Sequence, residues 1–333
     1  IDYIIKNTEY YILQEKPKQN DYAYFRLEKM LDLKYGTNPH TTASFYSMNS
    51  KSFEVLKGEK DLSLNNLYDA DTAIKLSLTL GKHCNGYASC VVKHGTPCGA
   101  AVSKKSLFDS AKAAWEADEL SSYGGIVGFS AKVDLETAEF FSDKFVDVFV
   151  APDFDEGEKE LFSSKKVRII KTKNFVNNFD VKFILDGFAI ESGGLQADEI
   201  EESKLIAVTV KKPDKKDIEE ILFAWYVARF SKSNAVVITK NMTTLAVASG
   251  FTARVEAAEF AVRKAEKNSK DIKGSYAASD GFFPFRDSID VLAKAGVRVI
   301  VQPGGSRRDL EVINAADEYG IVMLFTGKRA FMH

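Results

Sequence analysis

The sequence predicts an α/β protein made of two similar halves. Strand and helix signals alternate from about residue 61 to the chain end, the pattern of sheets covered by helices on both faces. The rhythm runs twice, and its halves meet near Gly193-Gly194 and the charged stretch 197–216. A length of 333 residues suits roughly two domains, and a hydrophobic content of 45% can fill their cores.

Residues 1–30 are polar and aromatic with weak periodicity and read as a lead-in segment. The first unit is drawn as 31–194 and the second as 195–333. In the first, apolar periodicity predicts helices over 69–80, 107–118 and 135–145, and strands over 87–93, 125–129 and 146–151. In the second, Pro213 and Asp214 open a helix over 217–230, with further helices over 254–267 and 309–319. Strands are expected at 235–239, 245–248, 297–301 and 321–325. There is no low-complexity tract and no close sequence repeat.

Composition narrows the function. Basic residues number 45 and acidic residues 47, a formal net charge of −2, so no bulk field draws nucleic acid or an anionic membrane. Any anion must be held by a local cluster. No apolar run reaches the ~18 residues of a membrane span. Cys84, Cys90 and Cys98 lack CxxC spacing and resemble neither a disulfide framework nor a zinc site. A reduced, cytoplasmic chain is the simple expectation.

Six stretches carry chemistry. Lys93-His94-Gly95-Thr96-Pro97-Cys98-Gly99 sits where an apolar strand passes into a Gly/Pro loop, and its cation and imidazole suit proton transfer with charge stabilisation. A polar turn is the bland equivalent. In Leu33–His40, Lys34 and Tyr35 offer a cation and a hydroxyl to a phosphate. Asn234, before a strand, offers an amide to an oxyanion. Ser279–Asp287 places three phenylalanines around Pro284, faces for a heterocycle or simply core. Asp287 is placed to cap the helix that follows. Gln302–Asp309 is either an anion cradle or, more simply, a capped helix start. The basic, aromatic tail Thr326–His333 suits docking into a site.

Together and in this order, these segments resemble the transformylase domain of the AICAR transformylase/IMP cyclohydrolase family. The resemblance runs from about Leu33 to His333 through LKYGTNPH, VVKHGTPCGAAV, SSYGGIVGF, VDVFVAP, FSKSNAVV, SDGFFPFRDSID, IVQPGGSRRDLEVINAADEYGI and FTGKRAFMH. It implies two cytidine-deaminase-like α/β/α units in tandem, without zinc. It implies an intertwined homodimer with active sites at the interface. The implied reaction moves formyl from 10-formyltetrahydrofolate to the 5-amino group of AICAR, within de novo purine (IMP) biosynthesis. Lys93, His94 and Asn234 are then the catalytic residues. Lys34, Tyr35, Asp147, Phe282 and Arg329 bind the nucleotide. Tyr123, Arg254, Pro284 and Phe285 fall on the folate side. A structural potassium ion is implied near Asn234 and the chain end.

This chain departs from the family pattern at three points. Lys34 stands where Arg is usual, Thr96 where Asn or Ser is common, and Phe251 where a glutamine follows glycine. The N-terminal cyclohydrolase domain has no room before the match, so a piece of the bifunctional protein and a stand-alone transformylase both stay open. A catalytically inactive nucleotide-binding relative is the alternative. A zinc deaminase lacks its PCxxC, since Pro97-Cys98 is followed by Gly-Ala-Ala.

Overall fold

The structure is a computed structural model that describes residues 25–48, 52–155, 166–172, 179–192 and 199–333. Most of the lead-in and the Gly193-Gly194 junction lie outside these residues. A hairpin of β1 (Glu28–Leu33) and β2 (Ala43–Ser47) comes first. The first half continues with β3 (Glu54–Lys57), α1 (Leu64–His83), β4 (Tyr87–Lys93), β5 (Thr96–Ser103), α2 (Leu107–Glu116), α3 (Glu119–Ser122), β6 (Ile126–Phe129), α4 (Leu135–Phe140), β7 (Val148–Ala151) and β8 (Arg168–Lys171). A second hairpin, β9 (Phe179–Ile184) and β10 (Gly187–Ser192), follows. The second half has β11 (Ile206–Ala207), α5 (Asp217–Arg229), β12 (Val236–Lys240), β13 (Thr243–Ala248), α6 (Arg254–Lys267), β14 (Tyr276–Ser279), α7 (Asp287–Ala295), β15 (Val299–Gln302), α8 (Asp309–Glu318) and β16 (Val322–Phe325).

Among the described residues the two halves share one twelve-stranded mixed sheet, ordered β11-β16-β15-β14-β12-β13-β5-β4-β6-β7-β8-β3. The order β5-β4-β6-β7-β8 repeats as β13-β12-β14-β15-β16. The strand directions repeat too: β4 is antiparallel to β5 and β6, and β12 is antiparallel to β13 and β14. The next two pairings in each half are parallel. One α/β plan is therefore used twice.

Successive strand side chains face opposite layers. Val237, Ala278 and Val301 join Ala88, Cys90 and Val92 in one core beneath α1 and α5. On the other face, Val91, Val127 and Phe129 meet α2 and α4, while Val236, Ile238 and Ile300 meet α6, α7 and α8. Close helix approach depends on two glycines. A Cβ at Gly128 would stand 2.5 Å from the Ala73 carbonyl oxygen of α1, and one at Gly99 would stand 2.1 Å from the Ala114 carbonyl oxygen of α2.

Several boundaries differ from the sequence reading. Helix α1 begins at Leu64, because Ser63 caps it and Asn66 returns the bond in a capping box. Thr96–Ser103 is a strand, not a Gly/Pro loop. Pro97 is tolerated because it sits at a register shift beside Val92, where no ladder donor is required. Helix α4 stops at Phe140, and Phe141 leaves helical geometry at ψ 3°. Arg286 occupies the N-cap position of α7 without a side-chain cap, so Asp287 lies inside the first turn, where its carboxylate accepts the Ser288 amide at 2.6 Å.

Replacing Gly128 by alanine should destabilise the protein by roughly 1–3 kcal/mol, because a helix backbone must move to make room. Urea unfolding of Gly128→Ala beside the parent measures it.

Candidate active site

One face of α1 organises the first half of the site. Ser63, Asn66 and Asp69 are three residues apart and so share that face. At its start, the Leu64 amide donates to the Tyr35 carbonyl at 3.1 Å and the Lys34 amide to the Leu62 carbonyl at 2.8 Å. This seats Lys34 and Tyr35 at the helix entrance. The Leu64 and Asn66 amides are already taken, by Tyr35 and by the Ser63 hydroxyl. A phosphate there must therefore rely on side chains more than on free helix amides. The Lys34 ammonium is half exposed and stands 3.4 Å from Asp61.

One turn on, the Asn66 side-chain amide donates to the Asp147 carboxylate at 2.6 Å, and Arg168 pairs with the other oxygen of Asp147. A further turn on, the Asp69 carboxylate accepts the His94 amide at 3.0 Å and the Gly95 amide at 2.5 Å. His94 and Gly95 form the two-residue turn between β4 and β5, with φ 56° and 70°. The Lys93 ammonium donates to the Tyr123 carbonyl at 2.8 Å, and the Tyr123 ring lies 5.2 Å from that of Phe145. Helix α1 thus ties Tyr35, Asp147 and the Lys93-His94 turn to one framework.

The second half is built around buried Asp280. Its carboxylate accepts from Arg254 at 2.5 Å and the Ala235 amide at 2.9 Å, and it holds the Ser233 hydroxyl. Its carbonyl accepts the Ala330 amide at 2.9 Å, which docks the tail. The Arg254 guanidinium also reaches the Asn234 side-chain oxygen at 2.6 Å and the Ser279 hydroxyl at 2.5 Å. The Asn234 amide nitrogen donates to the Phe251 carbonyl at 2.8 Å and the Thr252 carbonyl at 3.1 Å. An oxyanion held by Asn234 must displace one of these carbonyls.

The halves meet at the turn. A Cβ at Gly95 would lie 3.4 Å from the Lys232 side chain, and the Thr96 and Ser249 hydroxyls are 3.4 Å apart. The Lys93-His94 turn and the Asn234 loop thereby border one another within a single chain.

The other sequence candidates divide. Phe282 and Phe285 are exposed, whereas Phe283 is fully buried, its amide donating to Gln302 at 2.8 Å. The Arg308 guanidinium covers the Phe285 ring at 4.8 Å. Pro284 lies between them, half-buried. Arg329 is exposed, its guanidinium 4.4 Å from the Phe331 ring centre. Arg254, expected on the folate side, is 7% exposed and already committed to Asp280 and Asn234, so it offers no free charge to an acidic tail. The Gly304-Gly305 turn leads into α8 and is occupied from within, since the Asp309 carboxylate itself accepts the Gly305 amide at 2.7 Å and the Ser306 amide at 3.1 Å, while the N-cap residue Arg308 makes no side-chain cap.

The sequence reading did not single out Asn66, Asp69, Arg168 or Lys232, and it quoted Asp280 without a role. The three-residue spacing of Ser63, Asn66 and Asp69 was the available signal, hidden because Asn65-Asn66 resembles a turn. Among the described residues, the acid beside Asn234 and the tail is Asp280, whose charge Arg254 balances, so the implied potassium ion would have to rest on backbone carbonyls there. Burial pushes the thiols of Cys84, Cys90 and Cys98 up to about 12, so they rest as buried, protonated groups.

Arg254→Met leaves Asp280 charged and unpaired in the interior. It should cost on the order of 3–5 kcal/mol, visible as a large fall in the melting temperature.

A family model described as AICARFT/IMPCHase bienzyme matches residues 2–264. The bifunctional purine biosynthesis protein PurH of Aquifex aeolicus is 42% identical over 314 residues, covering 92% of this chain and 60% of that protein. PurH of Persephonella marina is 42% identical over 313 residues, covering 90% and 59%. PurH of Leptospira biflexa is 39% identical over 322 residues, covering 95% and 61%. The chain spans about three fifths of the length of these relatives. With the family model matched over most of its length, this chain belongs to the AICARFT/IMPCHase bienzyme family.

Proposed function

We propose that this chain is an AICAR formyltransferase, moving formyl from 10-formyltetrahydrofolate to the 5-amino group of AICAR. The observation that carries the reading is the junction of the Lys93-His94 turn with the Asn234 loop. A nucleotide-binding relative without catalysis has no use for an imidazole and a cation beside an amide.

The amine of AICAR attacks the formyl carbon. Its lone pair is delocalised into the ring, so it needs help to lose its proton. His94, exposed at the tip of the turn, takes that proton. The carbonyl oxygen gains negative charge, which Asn234 steadies by releasing a carbonyl partner. The bond from carbon to folate N10 then breaks, and Lys93 delivers a proton to the leaving nitrogen. The products are the formylated nucleotide and tetrahydrofolate, so atoms and charges balance.

Lys34 and Tyr35 serve the phosphate from the helix entrance, with Arg329 from the tail. Phe282 offers its exposed ring to the imidazole, and Asp147 meets the nucleotide's polar groups. Tyr123, Pro284 and Phe285 form the folate side, with Arg254 acting behind them by holding Asn234. The repeated strand order agrees with two cytidine-deaminase-like units divided near residue 194. A homodimer fits the β9–β10 hairpin, which exposes Phe183, Leu185 and Phe188, an apolar surface that a second copy would cover. Ring closure to IMP is not assigned to these residues, and a cytoplasmic site of action suits this metabolism.

His94→Ala should lower kcat for formyl transfer by roughly 100- to 10,000-fold while AICAR still binds. Turnover of AICAR with 10-formyltetrahydrofolate measures this. A parent chain that binds AICAR without turnover would favour the inactive relative.

A further inference from the structure

We propose that Asp69 is a positioning residue for the Lys93–His94 pair, its carboxylate fixing from α1 the turn that carries His94. This rests on the formyl-transfer reading above. Lys93 and Thr96 form the last pair of the β4–β5 ladder, so the amides of His94 and Gly95 have no strand partner. Asp69 supplies both partners, one from each carboxylate oxygen, at 3.0 and 2.5 Å.

The turn needs such a clamp. Both central residues have positive φ, the two-residue hairpin geometry that favours Asn-Gly or Gly-Gly. Gly95 accepts this readily. His94, at φ 56°, does so reluctantly, because its Cβ crowds the backbone. A carboxylate bonded to both amides holds the histidine in a conformation it would otherwise leave. Asp69 sits on a twenty-residue helix capped by Ser63 and Asn66, so the clamp is anchored in rigid structure. The same helix face holds Asp147 through Asn66. The imidazole and the nucleotide-contacting carboxylate are therefore set by one element.

The titratable and charged groups facing Asp69 are His94 on the turn, Lys232 on the segment after α5 and Cys98 on β5. Burial raises the carboxyl above its usual range, while the two amide bonds, His94 and Lys232 pull it back only in part. Asp69 therefore takes up a proton at higher pH than an ordinary aspartate. Protonation turns an acceptor oxygen into a hydroxyl that faces an amide, and the turn loosens.

The test compares the parent chain with Asp69→Asn, Asp69→Glu and the control Asp71→Asn. Asp71 is exposed on the same helix and pairs with Lys75 at 2.6 Å. Turnover is measured across about pH 5 to 9, with kcat and KM for AICAR resolved separately. Asp69→Asn should lose roughly 10- to 100-fold in kcat per folded molecule, with KM for AICAR little changed. Its acid limb should move, while Asp69→Glu recovers part of kcat and Asp71→Asn matches the parent. Parent-like kcat and an unmoved acid limb in an active background overturn the role of Asp69 alone. Should Asp69→Asn fail to fold, Asp69→Glu decides, since parent-like kcat with an unmoved limb overturns the assignment in the same way. A parent chain without turnover overturns the formyl-transfer reading itself, and this assignment with it.

Discussion

The pairing of β13 with β5 is the constraint on which the rest of the site depends. Its backbone register is short, with Thr243 opposite Ala101. The Val102 amide donates to the Met242 carbonyl at 2.9 Å, but the Ala100 amide donates to the Thr244 hydroxyl at 3.0 Å. A buried side chain thus replaces a ladder acceptor at the centre of the sheet. Helices reinforce the seam on both faces. Helices α1 and α5 share one core across it, and on the other face Lys264 pairs with Asp118 at 2.8 Å. Lys270 adds a bond to the Glu116 carbonyl at 2.8 Å. Without this seam, His94 and Asn234 would sit on separate units.

The two halves order their parts of the site by different physics. The first uses a helix face whose side chains reach segments distant in sequence, and its ion pair, Arg168 with Asp147, is partly solvated. The second buries an ion pair, Arg254 with Asp280. Burying such a pair costs desolvation that largely cancels the attraction, so stability is a weak reason to keep it. What the pair supplies here is direction. It fixes the Asn234 side-chain oxygen, the Ser233 hydroxyl, the Ala235 amide and the main chain that receives the tail.

The fold was legible where periodicity was long. Helix α6 matches its sequence reading at both ends, and β4 does too. It was illegible where a local rule was overridden by packing. Pro97 and Gly99 mark a loop by composition, yet the sheet needs a strand there and α2 needs the missing Cβ. The site was legible as segments but not as an arrangement. Lys93, His94 and Asn234 stood out because their residue types carry chemistry. Asp69 and Lys232 did not, because their importance lies in what the fold sets beside them. Arg254 was read by its charge, and burial gave that charge another task.

The departures from the family pattern fall where the structure asks little of the altered side chain. Phe251 contributes its carbonyl to Asn234, and any residue has that carbonyl. Its ring turns instead to Phe260, 5.1 Å away, and joins the core of the second half. Thr96 keeps a hydroxyl, which is what faces Ser249 across the seam. Lys34 is the exception. Its ammonium is a point charge on a flexible stem, already near Asp61, where an arginine would present a planar fork. The Leu64 and Asn66 amides behind it are occupied, so the loss of bidentate geometry has little backbone substitute. Under the proposed reading, this is the one of the three changes that bears most directly on how tightly the nucleotide's phosphate would be gripped.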